Sequence, residues 1–216
     1  MRYIDVETWP RREHYRLYRQ LDQPHFNMCA NVDVTAFYPA LKARKVGFTV
    51  GVLYVLARAA NDIAAFRCRM RDTDVVEHET VHPGTTVLSD DGLFGFCTLE
   101  YAGDFSAFAA GASETIEAAK RQPTLKEEPN RDDVLFTTAI PWVSFTSFAH
   151  PTHLHPADSI PRMAWGKWFE DGDRLKMPLS VQGHHAMMDG VHMGQYYKRV
   201  QAYLTEPEQF LGMGNA

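Results

Sequence analysis

No dense run of lysine and arginine occurs in this sequence, and 22 basic against 27 acidic side chains leave a formal net charge of -5. That removes the electrostatic case for a nucleic-acid partner, which needs a basic patch to meet phosphates. No uninterrupted apolar run approaches the roughly 20 residues of a membrane-spanning helix. The opening Met1-Arg2-Tyr3-Ile4-Asp5-Val6-Glu7 has no apolar signal core. No membrane partner is therefore expected, and the expected compartment is the cytoplasm. Cysteine is scarce: Cys29, Cys68 and Cys97 are odd in number and have no short spacing, which speaks against a disulfide framework or a cysteine zinc knuckle. Cys29 and Cys97 lie in strand-like runs and read as packing residues in a reducing environment. Internal repeats, low-complexity tracts and breaks in composition are missing too.

What remains is an ordinary globular composition, 45% hydrophobic and 23% charged over 216 residues, enough for one medium-sized domain spanning 1–216. The spacing from Arg11 to Leu21 predicts a helix with Pro10 in its first turn and His14, Tyr18 and Leu21 on one side. Asp22-Gln23-Pro24 ends it. A strand is expected over 27–34, then a short helix to Lys42 capped by Asp33 or Thr35. The apolar run 48–63 predicts a helix buried on most sides. From Cys68 to Tyr101 short strands alternate with turns at 71–74, at His82-Pro83-Gly84 and at 89–92. An alanine-rich helix follows over 104–122, with Asp104 or Ser106 near its start, and then a polar loop over 123–133. Strands are expected over 134–140, 163–168 and 174–183, the last two joined by a hairpin turn at Asp171-Gly172-Asp173. Strands and helices intermixed around one core make this an α/β chain.

The last strand delivers Gln182-Gly183-His184-His185-Ala186-Met187-Met188-Asp189-Gly190, which reads His-His-x-x-x-Asp-Gly between a strand and the amphipathic stretch 191–204. A near-neutral imidazole can take a proton from a hydroxyl and return it to a leaving group within one cycle. His185 is placed for that role if the strand end faces a cleft. Asp189 either orients it or holds the loop through an arginine, and Gly190 is read as permitting a tight turn. His150-x-x-His153-x-His155 invites comparison with a metal site, but Pro151 and Pro156 make it a loop without cysteine or carboxylate partners. No metal is expected there.

Four collinear blocks sharpen this reading: Trp9-x-Arg11-Arg12-Glu13-His14, Pro141 to Phe148, Gly172-Asp173-Arg174-Leu175 with Met177-Pro178-Leu179, and Gln182 to Gly194. Together they resemble the chloramphenicol acetyltransferase family over almost the whole chain. The resemblance implies a two-layer α/β sandwich, a mixed, mostly antiparallel sheet with helices on one face. It also implies an acetyl-CoA-dependent O-acetyltransferase acting on chloramphenicol or a related alcohol, hence antibiotic resistance, and a homotrimer with sites at subunit interfaces. Residue by residue, it makes His185 the general base and Thr138, three residues before the Pro-Trp pair, the oxyanion donor. Asp189 pairs with Arg11 instead of completing a triad. Lys167 and Trp168 fall where the family holds CoA, and Ala164 stands where it has a water-binding threonine.

The acceptor side departs most from the family. Tyr18 and Phe148 match pocket positions, whereas His150, Thr152, Asp22 and Pro24 replace apolar or small residues and imply a more polar acceptor. Two other readings follow from the same residues. With Thr138, Ala164 and the altered pocket, the chain could be a catalytically weakened ligand-binding protein of the same fold. A 2-oxo-acid dehydrogenase acyltransferase core fits less well, since the chain opens on the chloramphenicol-type block.

Overall fold

A computed structural model describes residues 1–126, 128–153 and 157–212. In chain order its first elements are β1 (Arg2–Ile4), α1 (Arg12–Tyr18), β2 (His25–Asp33), α2 (Phe37–Ala43), α3 (Phe48–Asn61), α4 (Ala64–Arg67), β3 (Cys68–Arg71), β4 (Asp74–Glu77), β5 (His82–Leu88) and β6 (Phe94–Thr98). Then come α5 (Phe105–Arg121), β7 (Val134–Ile140), β8 (Arg162–Gly166), β9 (Phe169–Asp171), β10 (Arg174–His184), α6 (Gly190–Thr205) and α7 (Pro207–Phe210).

The main sheet runs β2-β10-β8-β7-β5-β6, with β9 on β10. Only β5–β7 and β7–β8 are parallel, so the sheet is mixed and mostly antiparallel. Its long strand β10 has two faces because side chains alternate along a strand. Met177, Leu179 and Val181 enter the main core with Met163, Trp165 and Leu135, under Leu53, Leu56, Phe108, Met193 and Tyr196 of the helices. Helix α3 lies between the sheet and its helical neighbours, which is why Val52 through Ala57 are all buried. The opposite face carries Ser180, Gln182 and His184, and the segment after β7 crosses it. Ser180 Oγ donates to the Phe148 carbonyl at 2.8 Å, and His150 N donates to Gln182 Oε1 at 2.9 Å. A small sheet β1-β4-β3 stands apart, and its first strand lies outside the elements the sequence pattern predicts. Among the described residues no helix is long and apolar enough to cross a membrane.

Asp104 caps α5 as expected, accepting from Ala107 N at 2.8 Å. Four local readings need correction. His82-Pro83-Gly84 is the start of β5, not a turn. Proline's missing N–H is tolerated at a strand's beginning, and the Pro83 carbonyl accepts from Leu99 N at 2.9 Å. Neither Asp33 nor Thr35 caps α2. Asp33 Oδ1 accepts from Thr35 N and its other oxygen meets Arg174 and Lys176, while Thr35 Oγ1 accepts from Leu175 N. Helix α1 is shorter than the pattern suggested and buries Tyr15, leaving His14 and Leu21 exposed. Gly190 is not in the left-handed region and has open space around it. The glycine that matters is Gly183, where a Cβ would run into the side chain of Met188.

Candidate active site

Strand β10 ends at His184, opposite His25 of β2, and His185 is the first residue beyond it. Its backbone is held at both ends: the amide donates to the Pro24 carbonyl at 2.9 Å, and its carbonyl accepts from Arg11 Nη2 at 3.2 Å. Its ring stacks on Tyr18, with centroids 3.9 Å apart and planes 4° apart, and meets Phe26 at a tilt of 36° with centroids 4.6 Å apart. Two aromatic walls fix the plane of the half-buried imidazole. Nδ1 is buried without a hydrogen-bond partner.

Asp189 turns away from this ring. Its Oδ2 meets Arg11 Nη1 at 2.6 Å and its Oδ1 accepts from Val191 N at 3.0 Å, capping α6. His192 Nδ1 lies 2.8 Å from Asp189 Oδ1 and 3.2 Å from Asp189 N. The nitrogen cannot donate to one and accept from the other at once, and the shorter, charge-assisted contact is favoured. Partial burial opposes ionisation of Asp189, but the bonds from Arg11 and His192 outweigh it and hold the carboxyl well below the usual range. Arg11 thus ties the helix-capping carboxylate to the His185 carbonyl. Asp189 is a structural brace.

Thr138 is half-buried on β7. It is in register with Ala164 of β8, which is in register with Ser180 of β10. With strands about 4.8 Å apart and a rise of about 3.3 Å per residue, the Thr138 and His185 Cα atoms of one chain are on the order of 15–20 Å apart. A single chain does not bring the two together. Trp168 is half-buried with its ring 5.7 Å from Tyr38, above which Lys42 Nζ sits at 4.6 Å, and Lys167 is exposed.

Of the residues expected at the acceptor pocket, Phe148 and His150 meet edge to face at 4.9 Å and Thr152 is half-buried. Pro24 is buried and contributes the carbonyl that anchors His185. His153 is exposed, His155 lies outside the described residues, and no group suited to a metal ion occurs among the described ones.

The sequence reading missed the polar network on this face. Arg162 binds Asp158 through both carboxylate oxygens at 2.8 and 2.6 Å, His25 Nε2 lies 2.9 Å from the Asp158 carbonyl, and Asn27 Oδ1 lies 2.8 Å from Ser180 Oγ. The available signal was polar residues at 180, 182 and 184, every second position of an otherwise apolar strand.

Burial pushes the imidazoles of His150 and His184 down to about 4, with Arg162 adding to the first and His25 to the second. An unfolded histidine titrates near about 6.5. Between that value and about 4 the unfolded chain therefore binds protons the folded chain refuses, and stability falls as pH falls. For fully buried His184 the gap corresponds to about 3 kcal/mol. Urea unfolding at about pH 7 and about pH 4.5 should show this loss before the braced carboxylates protonate, and His184→Gln should lessen the pH dependence.

The sequence pattern defining the chloramphenicol acetyltransferase family matches residues 1–201. A chloramphenicol acetyltransferase of Klebsiella sp is 31% identical over 204 residues, covering 94% of this chain and 93% of that protein. Chloramphenicol acetyltransferase 2 of Escherichia coli is 30% identical over 200 residues, covering 92% and 94%. A solved chloramphenicol acetyltransferase superposes with a TM-score of 0.84 at 26% identity, over 94% of this chain and 99% of that one. The dihydrolipoamide acetyltransferase of Azotobacter vinelandii shares the fold, with a TM-score of 0.65 at 22% identity over 88% and 84%.

Proposed function

The chain belongs to the chloramphenicol acetyltransferase family and is an acyltransferase; from that premise we propose that it moves the acetyl group of acetyl-CoA to a hydroxyl of chloramphenicol or a related small alcohol. The observation that carries this reading is His185 itself: an imidazole clamped by its own backbone, stacked on Tyr18 and packed at a tilt against Phe26, just beyond the end of a strand. The ring takes the proton of the acceptor hydroxyl as its oxygen attacks the thioester carbonyl carbon. The tetrahedral oxyanion accepts a hydrogen bond from the Thr138 hydroxyl. Collapse breaks the carbon–sulfur bond, and the imidazolium returns the proton to the departing thiolate, giving the acetyl ester and free CoA.

Thr138 and His185 are too far apart in one chain to share a substrate, so each site pairs His185 of one copy with Thr138 of the next. This supports the interfacial homotrimer that the family resemblance implies. Trp168 offers an indole face to the adenine, and Lys167 and Lys42 offer cations to the phosphates. Phe148, His150 and Thr152 line the acceptor side and favour an alcohol with polar substituents.

The test is release of free CoA thiol on mixing acetyl-CoA with chloramphenicol. Absence of transfer to chloramphenicol, with transfer to another alcohol, would overturn the acceptor assignment and leave the chemistry standing. Thr138→Ala should lower kcat about 100-fold with little change in the KM for acetyl-CoA, whereas Thr138→Ser should retain most of the rate, since one preorganised donor is worth about 3 kcal/mol. Equal rates for all three proteins would dismiss Thr138 as the donor.

A further inference from the structure

Two histidines beside His185, the buried His184 and the half-buried His25, have no part in the proposed chemistry. His184 is fully buried, and its Nδ1 accepts the Ala186 amide at 3.1 Å, so in the neutral ring the proton sits on Nε2. His25 lies opposite it on β2, and its Nε2 is 2.9 Å from the Asp158 carbonyl. A carbonyl only accepts, so His25 carries its proton on Nε2 and leaves Nδ1 bare. The outer partners therefore select complementary inner atoms: an N–H on His184 and a lone pair on His25. Both inner nitrogens are buried and without a hydrogen-bond partner, and the rings stand edge to face, 5.1 Å apart. An N–H···N bond between two imidazoles spans a comparable centroid separation, so the pair is within reach of one. Two unpaired buried polar atoms are costly to keep apart when each is the other's complement.

We propose that His25 and His184 are positioning residues for His185, joined by a His184 Nε2–H···His25 Nδ1 bond that completes a chain from the Ala186 amide to the Asp158 carbonyl. The chain brackets His185, whose neighbours on either side, His184 and Ala186, are its members. It secures the turn in addition to the Pro24 and Arg11 anchors, so the base keeps its angle to the acceptor hydroxyl. This rests on the reading of His185 as the base.

The chain works only while both rings are neutral, because a proton on His25 Nδ1 would set two donors face to face. Burial lowers the proton affinity of both rings, more than neighbouring Asp158 raises it; Arg162 adds to the lowering at His25, and His25 and His185 add to it at His184.

The full-length protein provides the test. Nitrogen-15 spectra of the histidine rings should show both His25 and His184 as neutral Nε2–H tautomers near neutral pH. His25→Leu should lower kcat about 10- to 100-fold, the size expected when a reacting group is misplaced by about an ångström, with the KM for acetyl-CoA almost unchanged. His25→Asn restores an acceptor where Nδ1 stood and should recover much of the loss. If His25→Leu turns over like the wild type, or either ring is the Nδ1–H tautomer, the proposal falls. His185→Ala run alongside separates the two ideas: loss there with none in His25→Leu sinks only the positioning chain, and no loss there sinks the base assignment.

Discussion

Replacing His185 with alanine is expected to lower kcat for acetyl transfer at least about a thousandfold, within the span general base catalysis contributes. In the proposed mechanism the imidazole is the group that takes the hydroxyl's proton as the carbon–oxygen bond forms. The fold should survive, because the backbone anchors to Pro24 and Arg11 use the main chain and remain in place. What is lost is the ring stack with Tyr18 and Phe26, worth about 1 kcal/mol beyond the area it covers. Thermal melting should therefore change little while thiol release all but stops. His185→Gln is the sharper variant: it keeps polarity and some bulk but cannot act as a base near neutral pH. If either protein kept a tenth of the wild-type turnover, the proton would have to leave by another route. An unchanged KM for acetyl-CoA would further show that the ring acts on the barrier and not on cosubstrate binding.

That prediction depends on a motif legible in the sequence, and the surroundings of the motif divide into what could and could not be read. The helix at Phe105–Arg121 announced itself through its cap Asp104, and the strand Arg174–His184 through its turn at Gly172, which takes a positive φ of 63°. These are local signals, carried by a few neighbouring residues. His82-Pro83-Gly84 misled because turn chemistry is also local, whereas pairing with β6 and β7 is not. The polar face of β10 was missed for the same reason. Asp158 and Arg162 come from a loop and strand some twenty residues before Ser180 and Gln182, and His25 from β2, which neighbours β10 in the sheet but lies far from it in sequence. Pro24 is expected at the pocket through its side chain; what it also gives His185 is a carbonyl, which any residue carries and no side-chain pattern signals. The pairing of Arg11 with Asp189 followed from the family resemblance; neither residue's neighbours in sequence point to a partner so far along the chain.

That pair makes the second large prediction. Asp189→Ala removes an ion pair, a helix cap and the contact with His192 in one step. Breaking a buried pair from one side costs about 3–5 kcal/mol, and with 28% of the Asp189 side chain exposed a value of about 2–3 is expected. Loss of the cap adds about 1 kcal/mol. Asp189→Asn keeps a side-chain oxygen for the Val191 amide and gives up the charge, so the difference between the variants reports the cap together with the uncharged contacts the amide retains. Activity should fall with stability, because Arg11 freed from Asp189 no longer holds the His185 carbonyl in place. Arg11→Ala and Asp189→Ala should not add: once one partner has gone, removing the other costs little, and in a double-mutant cycle the coupling should exceed about 1 kcal/mol. Urea unfolding of the four proteins measures it. Additive losses would mean that the two side chains, though 2.6 Å apart, brace the loop independently, and the route from the α6 cap to the base would be broken.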